Sequence, residues 1–396
     1  MGNNITLHKK DDTLVIGYAG HLTSENSQAV LSEIQELAAK EPHEHMELDL
    51  TDTEYLSSAG LRAILTLHKK ENLVITGVSP VVYEIFEITG FNRMMDIRRA
   101  VRKVSLANAT CIGSGFFSEV YRLDDETIVK LFVKDSAEED IRREIELDKY
   151  ALQIGIPTAI SFDLVEADGK EGIIYEMMNH GSLRDAIRDN PEKLDEYTDK
   201  YTALLKDLHS SFDTEKRLPD AKARLLHTLD KFRSLYSPGE FSAIYALTET
   251  IPESDSVLHG DCHVKNIMLH NDEPLLIDLD TLSRGDPVIE LGSIYYSNVI
   301  FGEVYPGNPE EFLGFPQVNE VVSGLLHRYL AGCDEAEFSQ DLERIRFIGY
   351  IQMLNHLVDY KQNEPENIRF VRGRLLETAS NCSTLRLSGT ARTSEA

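Results

Sequence analysis

The segment SVLHGDCHVKNIMLHNDEPLLIDLD (Ser256–Asp280) constrains the fold of this chain more than any other stretch. It consists of two short apolar pieces, VL and IML, around a polar loop, followed by the apolar strand LLID. Four residues separate Asp261 from Asn266, and Asp278 follows twelve residues after Asn266. Such alternation of strand and polar loop predicts that these polar side chains lie at strand ends, where loops carry binding and catalytic groups.

The chemistry of this set is that of phosphoryl transfer. The reaction needs a carboxylate that accepts the hydroxyl proton and two oxygen ligands for Mg²⁺. We therefore predict that Asp261 is the base and that Asn266 and Asp278 are the metal ligands. His259 and His263 lie in the same loop, and we predict that they support its conformation.

A glycine pair precedes this segment in IGSGFFSEVYRL (Ile112–Leu123). Gly113 and Gly115 would let the backbone approach phosphate closely. The third glycine of G-x-G-x-x-G is replaced by Ser118, and VYRL continues as a strand instead of opening a helix. The pattern indicates a strand–loop–strand that covers phosphates, and a plain hairpin is the alternative.

A lysine inside an apolar strand and a following acidic helix form the next pair. Lys130 lies in TIVKLF (Thr127–Phe132), where it could hold the α and β phosphates, or be an edge lysine with its amine in water. The helix predicted over 135–154 supplies a glutamate partner, for which we choose Glu144, with Glu146 as the second choice. The apolar face of this helix is predicted to comprise Ile141, Ile145 and Leu152.

A hinge between two lobes is predicted in GIIYEMMNHGSL (Gly172–Leu183). This segment is an apolar strand, then a glycine-containing linker, then a helix start at Ser182. Backbone groups from Glu176 to Met178 would face the adenine, and a simple strand–helix connection is the alternative.

HGDCHVKNIM resembles H-G-D-x-H-x-x-N, the signature of the aminoglycoside phosphotransferase and choline kinase group of kinase-like folds. IDLDTLSRGDPVIELG (Ile277–Gly292) is similar to the same group, with Glu290 in place of an aspartate, and LLKDLHSS (Leu204–Ser211) matches the helix before the catalytic loop. The resemblance runs from about Thr110 to Ile351. It implies a bilobal α+β kinase-like fold that uses ATP and Mg²⁺ to phosphorylate a hydroxyl group of a small molecule.

Residues 1–100 have a different sequence pattern, in which strand and helix signals alternate. This alternation predicts an α/β fold. Thr23 and Ser24 mark a predicted helix start. GHLTSENS (Gly20–Ser27), LDLTDTEYLSSAGL (Leu48–Leu61) and YEIFEITGF (Tyr83–Phe91) resemble the STAS fold of anti-sigma factor antagonists. In that family a serine at this helix start is phosphorylated and controls partner binding.

The matching serine here is Ser58, where the usual preceding acidic residue is replaced by Ser57. Phosphate at this position would meet free N–H groups and the positive end of the helix dipole. Ser58 is therefore a candidate phosphorylation site, and a helix cap is the alternative role for a serine at this position. The module itself is expected to bind a protein partner.

Composition limits the kinds of partner that this protein is expected to bind. The net charge of −27 disfavours nucleic acid and anionic membranes. No apolar run approaches the roughly 20 residues of a bilayer span, and the N-terminus lacks a secretory signal. Four scattered cysteines read as reduced thiols, which predicts a cytoplasmic protein.

We predict a STAS-like regulatory domain over residues 1–100 and a kinase-like domain over 101–396. The latter divides into an N-lobe at about 101–178, a helical C-lobe at about 179–382 and a frayed tail over 383–396. Three functions fit: a small-molecule phosphotransferase, a regulatory protein kinase that acts on Ser58 or on a partner, and a non-catalytic nucleotide sensor. The complete set of polar residues favours the first.

Overall fold

The chain separates into two compact units. The computed structural model describes residues 4–115, 118–132, 138–178, 181–305, 317–359 and 365–388. One unit comprises Met1–Ser105 with Leu164–Gly169, and the other comprises Leu106–Asp163 with Lys170–Ala396. The domain boundary near residue 100 stays a prediction, and each unit is described by itself below.

The first unit is an α/β layer structure. Its strands are β1 Ile5–Lys10, β2 Thr13–Tyr18, β3 Gly20–Leu22, β4 His45–Asp49, β5 Thr53–Leu56, β6 Leu73–Val78, β7 Asp96–Arg99 and β8 Arg102–Lys103. Its helices are α1 Ser27–Ala38, α2 Ser58–His68 and α3 Pro80–Thr89. The sheet order is β1-β2-β4-β6-β7, in which only β1 runs antiparallel to its neighbour, and β3 pairs with β5 separately.

Apolar side chains of this unit form one core, and Leu14, Ile16, Ile75 and Phe86 are completely buried in it. This confirms the α/β pattern predicted for the first hundred residues. The predicted start of the first helix at Thr23 and Ser24 is wrong, because α1 begins at Ser27. The Asn26 side chain accepts the backbone N–H of Thr23 at 2.8 Å and forms a separate turn before the helix.

The second unit begins with the sheet of its N-lobe. The strands are β9 Thr110–Ser114, β10 Ser118–Arg122, β11 Thr127–Phe132, β12 Ser161–Ala167 and β13 Lys170–Glu176, and α4 spans Glu138–Gln153; residues 164–167 of β12 are counted in the first unit. The order of the strands that lie wholly in the second unit is β13-β11-β10-β9, and the pairs β9–β10, β10–β11 and β11–β13 are antiparallel. This arrangement matches the predicted β-rich lobe.

The rest of the second unit is mainly helical. Its elements are α5 Leu183–Asp189, α6 Leu194–His209, α7 Ala221–Asp230, α8 Pro238–Glu249, β14 Val257–Leu258, β15 Ile267–His270, β16 Glu273–Leu276, β17 Ser283–Arg284, α9 Pro287–Tyr295, α10 Phe301–Val304, α11 Val318–Tyr329, α12 Glu335–Asp359 and α13 Pro365–Asn381. The strands form two antiparallel pairs, β14–β17 and β15–β16. Among the helices that the structure describes, none combines the length and apolar character needed to cross a bilayer.

The predicted frayed tail is partly wrong. Leu385 and Leu387 are buried in the core of the helical lobe. The backbone N–H of Ser388 donates to both carboxylate oxygens of the buried Asp341, at 3.0 and 3.1 Å. Burial of the two leucines and the hydrogen bonds to Asp341 therefore hold this segment in place despite its polar composition. Residues 389–396 lie outside the described part.

Candidate active site

A cavity of about 540 Å³ lies between the sheet and the helical lobe of the second unit. This volume is within the usual range for a small-molecule site. Six of the predicted nucleotide-site and metal residues line it: Gly113, Lys130, Glu144, Glu176, Met178 and Asp278. Gly115, Asp261 and Asn266 are not part of its wall.

An ion cluster joins the two lobes at this cavity. The Lys130 ammonium lies 2.8 Å from Glu144 Oε1 and 2.6 Å from Asp278 Oδ1. Burial alone would lower the pKa of Lys130, but Asp278 and Glu144 outweigh it and raise that pKa above its ordinary value. Burial also opposes ionisation of Asp278, and Lys130 reverses that effect and lowers the Asp278 pKa. Lys130 and Asp278 are therefore charged at neutral pH.

The buried face of α4 explains the choice between the two predicted glutamates. Glu144 is buried on this face, whereas Glu146 is exposed. Part of the predicted apolar face is wrong, because Leu152 is 39 % exposed. The inner face instead comprises Ile141, Glu144, Leu147, Asp148 and Ala151.

The glycine pair lies in a hairpin. The N–H of Gly115 donates to the Ser118 carbonyl at 2.8 Å, across a tip whose residues 116 and 117 lie outside the described part. A Cβ at Gly113 would meet Val120 Cβ at 3.6 Å, which is an ordinary contact. Packing within the protein thus does not demand glycine at Gly113, and contact with phosphate stays a prediction for both glycines.

The predicted hinge follows β13. The Glu176 carboxylate accepts the backbone N–H of Ile160 at 2.7 Å, so its side chain is engaged by the protein. Met178 is buried beside it. The predicted helix start is confirmed, since Ser182 caps α5 in a reciprocal box with Asp185.

The Asp261 carboxyl is accessible. Its side chain is 48 % exposed, although burial of the group raises its pKa to about 6. The Asn266 amide nitrogen donates to the Asp261 carbonyl at 3.0 Å and approaches Asp261 Oδ2 at 3.4 Å. Asn266 thereby fixes the loop conformation around Asp261.

The loop that carries Asp261 is held by buried polar groups. His259 is fully buried, and its Nδ1 accepts the N–H of Asp261 at 3.3 Å. The ring proton is therefore on Nε2, which donates to the Ile277 carbonyl at 3.0 Å. The buried Glu290 accepts the N–H of Gly260 at 3.0 and 3.2 Å. The residue that replaces the expected aspartate therefore positions this loop.

His263 lies at the same loop. Its Nε2 is 3.6 Å from Asp261 Oδ2, beyond a normal hydrogen bond. Burial lowers the pKa of His263 to about 4, so the ring is neutral at pH 7. Its Nδ1 is buried and has no partner among the described residues.

The two predicted metal ligands lie at the same end of the β15–β16 hairpin. Asn266 directly precedes β15 and Asp278 follows β16, and the N–H of Ile277 donates to the Asn266 carbonyl at 2.9 Å. Asp278 adopts a left-handed backbone conformation at φ 64° and ψ 61°. The Asn266 side-chain oxygen has no donor among the described residues. One carboxylate and one free amide oxygen fit Mg²⁺, which prefers few protein oxygens together with phosphate.

Asp148 and Tyr175 line the cavity next to the ion cluster, and the sequence analysis did not predict either as a site residue. Asp148 is 2 % exposed, and its Oδ2 lies 2.8 Å from the Tyr175 hydroxyl. The same hydroxyl lies 3.0 Å from Glu144 Oε1. The spacing of four residues between Glu144 and Asp148 was the available signal, because it places both on one helix face.

The two serines at the start of α2 have different environments. The Ser57 hydroxyl accepts the N–H of Gly60 at 3.1 Å and is the cap. Ser58 is the exposed first residue of the helix, and its hydroxyl has no partner among the described residues. The Ser58 hydroxyl is therefore accessible, while its phosphorylation stays a prediction.

Comparisons with known proteins agree with both predicted resemblances. Residues 4–104 match the STAS domain model, and residues 109–344 match the model of the phosphotransferase enzyme family, APH. The curated protein named "Putative anti-sigma factor antagonist BtrV", from Bordetella bronchiseptica, is 29 % identical over 113 residues, which are 27 % of this chain and 97 % of that protein.

Solved structures that are similar to part of this chain were also found. A thermostable mutant of aminoglycoside phosphotransferase APH(4)-Ia has a TM-score of 0.48 and 12 % identity, over 70 % of this chain and 95 % of its own. A choline/ethanolamine kinase family protein from Mesorhizobium loti has a TM-score of 0.44 and 12 % identity, over 70 % and 88 %. Because the family model covers more than half of the residues, this chain belongs to the APH phosphotransferase enzyme family and has a STAS domain before its kinase-like domain.

Proposed function

We propose that this protein transfers the γ-phosphate of ATP to a hydroxyl group of a small molecule, with Mg²⁺, and that its STAS domain regulates it or binds a protein partner. The ion cluster of Lys130, Glu144 and Asp278 in one cavity is the observation that carries the proposal. Its ammonium group and carboxylates are the kinds of group that hold a nucleotide and its metal.

Each residue has a defined role in this proposal. Lys130 binds the α and β phosphates, and Glu144 keeps the lysine in place. Asp278 and Asn266 would hold Mg²⁺, which neutralises charge on the phosphate oxygens when bound. Asp261 orients the acceptor hydroxyl and takes its proton, while His259 and Glu290 hold the loop.

The pKa of Asp261 predicts the pH dependence of transfer. The base must be ionised to accept a proton, and its pKa is about 6. The rate should therefore rise between about pH 5 and pH 7 and then level off with respect to this group. A rate that is flat across this interval would contradict the role of Asp261.

Asp261→Ala tests the assignment. Release of ADP would be followed with a panel of sugars, amino alcohols and aminoglycosides. We expect the variant to lose about 10²–10⁴-fold in rate while it still binds ATP and keeps its melting temperature. Asp207→Ala, which removes an exposed carboxylate on α6, is the matched control. Full activity of Asp261→Ala would refute the proposal, and tight nucleotide binding without any turnover would favour a nucleotide sensor.

A second candidate is a regulatory protein kinase that acts on Ser58. Ser57 is the cap, and the exposed Ser58 hydroxyl has no partner in the part of the chain that the structure describes, which favours this candidate. Mass spectrometry of the full chain after incubation with ATP and Mg²⁺ would decide between the two. Phosphate on Ser58 that is absent in Asp261→Ala would support this candidate, and an unmodified Ser58 would count against it.

The compartment is also a proposal. All four cysteines are free thiols: Cys111, Cys262, Cys333 and Cys382. Free thiols suit the reducing cytoplasm that the sequence predicts, where ATP is available as the phosphate donor.

A further inference from the structure

A buried carboxyl group beside the ion cluster has no role in the function proposed so far. Asp148 lies one helical turn after Glu144 on α4 and contributes to the wall of the same cavity. The Tyr175 hydroxyl lies between the two carboxyl groups, 2.8 Å from Asp148 Oδ2 and 3.0 Å from Glu144 Oε1. The hydroxyl therefore connects Asp148 to the partner of Lys130.

Counting protons shows what this bridge requires. A tyrosine hydroxyl has one proton and can donate it to only one of the two carboxyl groups. If Glu144 receives it, Asp148 must itself donate a proton to the tyrosine oxygen. If Asp148 receives it, an oxygen lone pair of Tyr175 faces an ionised Glu144 at 3.0 Å, which is unfavourable. While Glu144 is the ionised partner of the Lys130 ammonium, both short contacts are satisfied only when Asp148 is protonated.

We propose that Asp148 is a positioning residue of the nucleotide site, whose proton lets Tyr175 hold Glu144 against Lys130 and is retained while a nucleotide is bound. This inference rests on the proposed function, because it assumes that the cavity takes a nucleotide. It goes beyond that function by making affinity for the nucleotide depend on the protonation of Asp148, which acts through Tyr175 and Glu144.

The charges around Asp148 explain why its protonation and nucleotide binding are coupled. Lys130, Glu144 and Asp278 together carry one net negative charge, and ionised Asp148 would add a second beside an anionic nucleotide. Burial is the main cause that raises the pKa of Asp148 to about 7, and Glu144 raises it further, whereas the hydroxyls of Tyr175 and Ser161 and the charge of Lys130 act in the opposite direction. The turn that packs against α4 follows Asp278, which is already counted, and contributes one more carboxyl group, that of Asp280.

The sign of the effect follows from these charges. Asp148 is protonated below about pH 7 and ionises above it. A bound nucleotide makes ionisation less favourable, so binding must raise the Asp148 pKa and take up protons near pH 7.5. By the same linkage, affinity must weaken as the pH rises through this interval.

Calorimetric titration of the full chain with Mg²⁺ and AMP-PNP tests the proposal. Titrations in buffers of different ionisation enthalpy at pH 7.5 measure proton uptake. We expect the wild type to take up a fraction of a proton that Asp148→Asn does not, because asparagine donates to Tyr175 at every pH. Between pH 6.5 and 8.5, the wild-type Kd should rise on the order of tenfold relative to that of Asp148→Asn.

Two further variants make the result specific. Glu146→Gln removes an exposed carboxylate of the same helix and should behave as wild type. Tyr175→Phe removes the bridge, so it should reduce the proton uptake and weaken binding at both pH values. Equal proton uptake by wild type and Asp148→Asn would overturn the inference and leave the proposed function intact. Absence of AMP-PNP binding to the wild type at both pH values would overturn both.

Discussion

The backbone of the loop that carries Asp261 is sterically restricted at Gly260. Gly260 has a φ of +87°, and a Cβ there would lie 2.7 Å from the Thr281 carbonyl oxygen. This conformation is costly for any other residue, and the neighbouring backbone cannot give way as a flexible side chain would. The loop therefore depends on glycine between His259 and Asp261.

Gly260→Ala should destabilise the protein by about 1–3 kcal/mol and reduce kcat about a hundredfold, because Asp261 is displaced from its working position. Urea denaturation and steady-state kinetics measure the two effects. The control is Gly239→Ala in the first turn of α8, where an added Cβ meets nothing within 4 Å, and stability should stay the same or rise. Equal behaviour of the two variants would contradict the steric argument.

At the scale of elements, the first turn of α2 is capped by Ser57 and leaves the neighbouring Ser58 exposed. Ser57→Ala removes the acceptor for the Gly60 N–H and should cost about 1 kcal/mol. Ser58→Ala removes no hydrogen bond to the described residues and should leave the free energy of unfolding within about 0.5 kcal/mol of wild type. Chemical denaturation followed by circular dichroism measures both changes. A larger loss for Ser58→Ala than for Ser57→Ala would show that the cap is assigned to the wrong serine.

Helix α4 shows how far sequence reasoning reaches and where it stops. Lys130 and Glu144 could be predicted because a lysine in an apolar strand and a glutamate on the next helix are a recognisable pair. Leu152 was placed on the inner face and Asp148 was missed, because periodicity assumes that apolar side chains point inward. The burial of Asp148 depends on Tyr175, which lies on a strand distant in sequence.

The C-terminal segment is a second case in which contacts distant in sequence decide the structure. Its polar composition predicted a frayed tail, but Leu385 and Leu387 fill the core of the helical lobe. Their place depends on Asp341 and Thr250, which lie far away in the sequence and accept backbone N–H groups of the tail. Local composition does not predict such long-range hydrogen bonds. The spacing of Asp261, Asn266 and Asp278 is a local pattern, so the sequence alone could predict that set.

At the scale of the whole molecule, the two main hydrophobic cores share no residue. One belongs to the STAS domain and the other to the helical lobe. Phe86→Ala, at a completely buried site of the first core, should destabilise that unit by about 3–5 kcal/mol. We expect calorimetry to show one thermal unfolding transition at a lower temperature than in wild type. AMP-PNP affinity should stay within about twofold of wild type. A joint shift of all transitions would instead indicate that the two units unfold as one.

The central claim concerns the whole second unit: groups from both of its lobes bind one nucleotide and its metal ion. Calorimetric titration of the full chain with AMP-PNP, in the presence and absence of Mg²⁺, tests it most directly. The account predicts one site per chain, affinity that depends on Mg²⁺, and loss of that dependence in Asp278→Ala. An unchanged dependence on Mg²⁺ in Asp278→Ala, or no binding to the wild type, would contradict it.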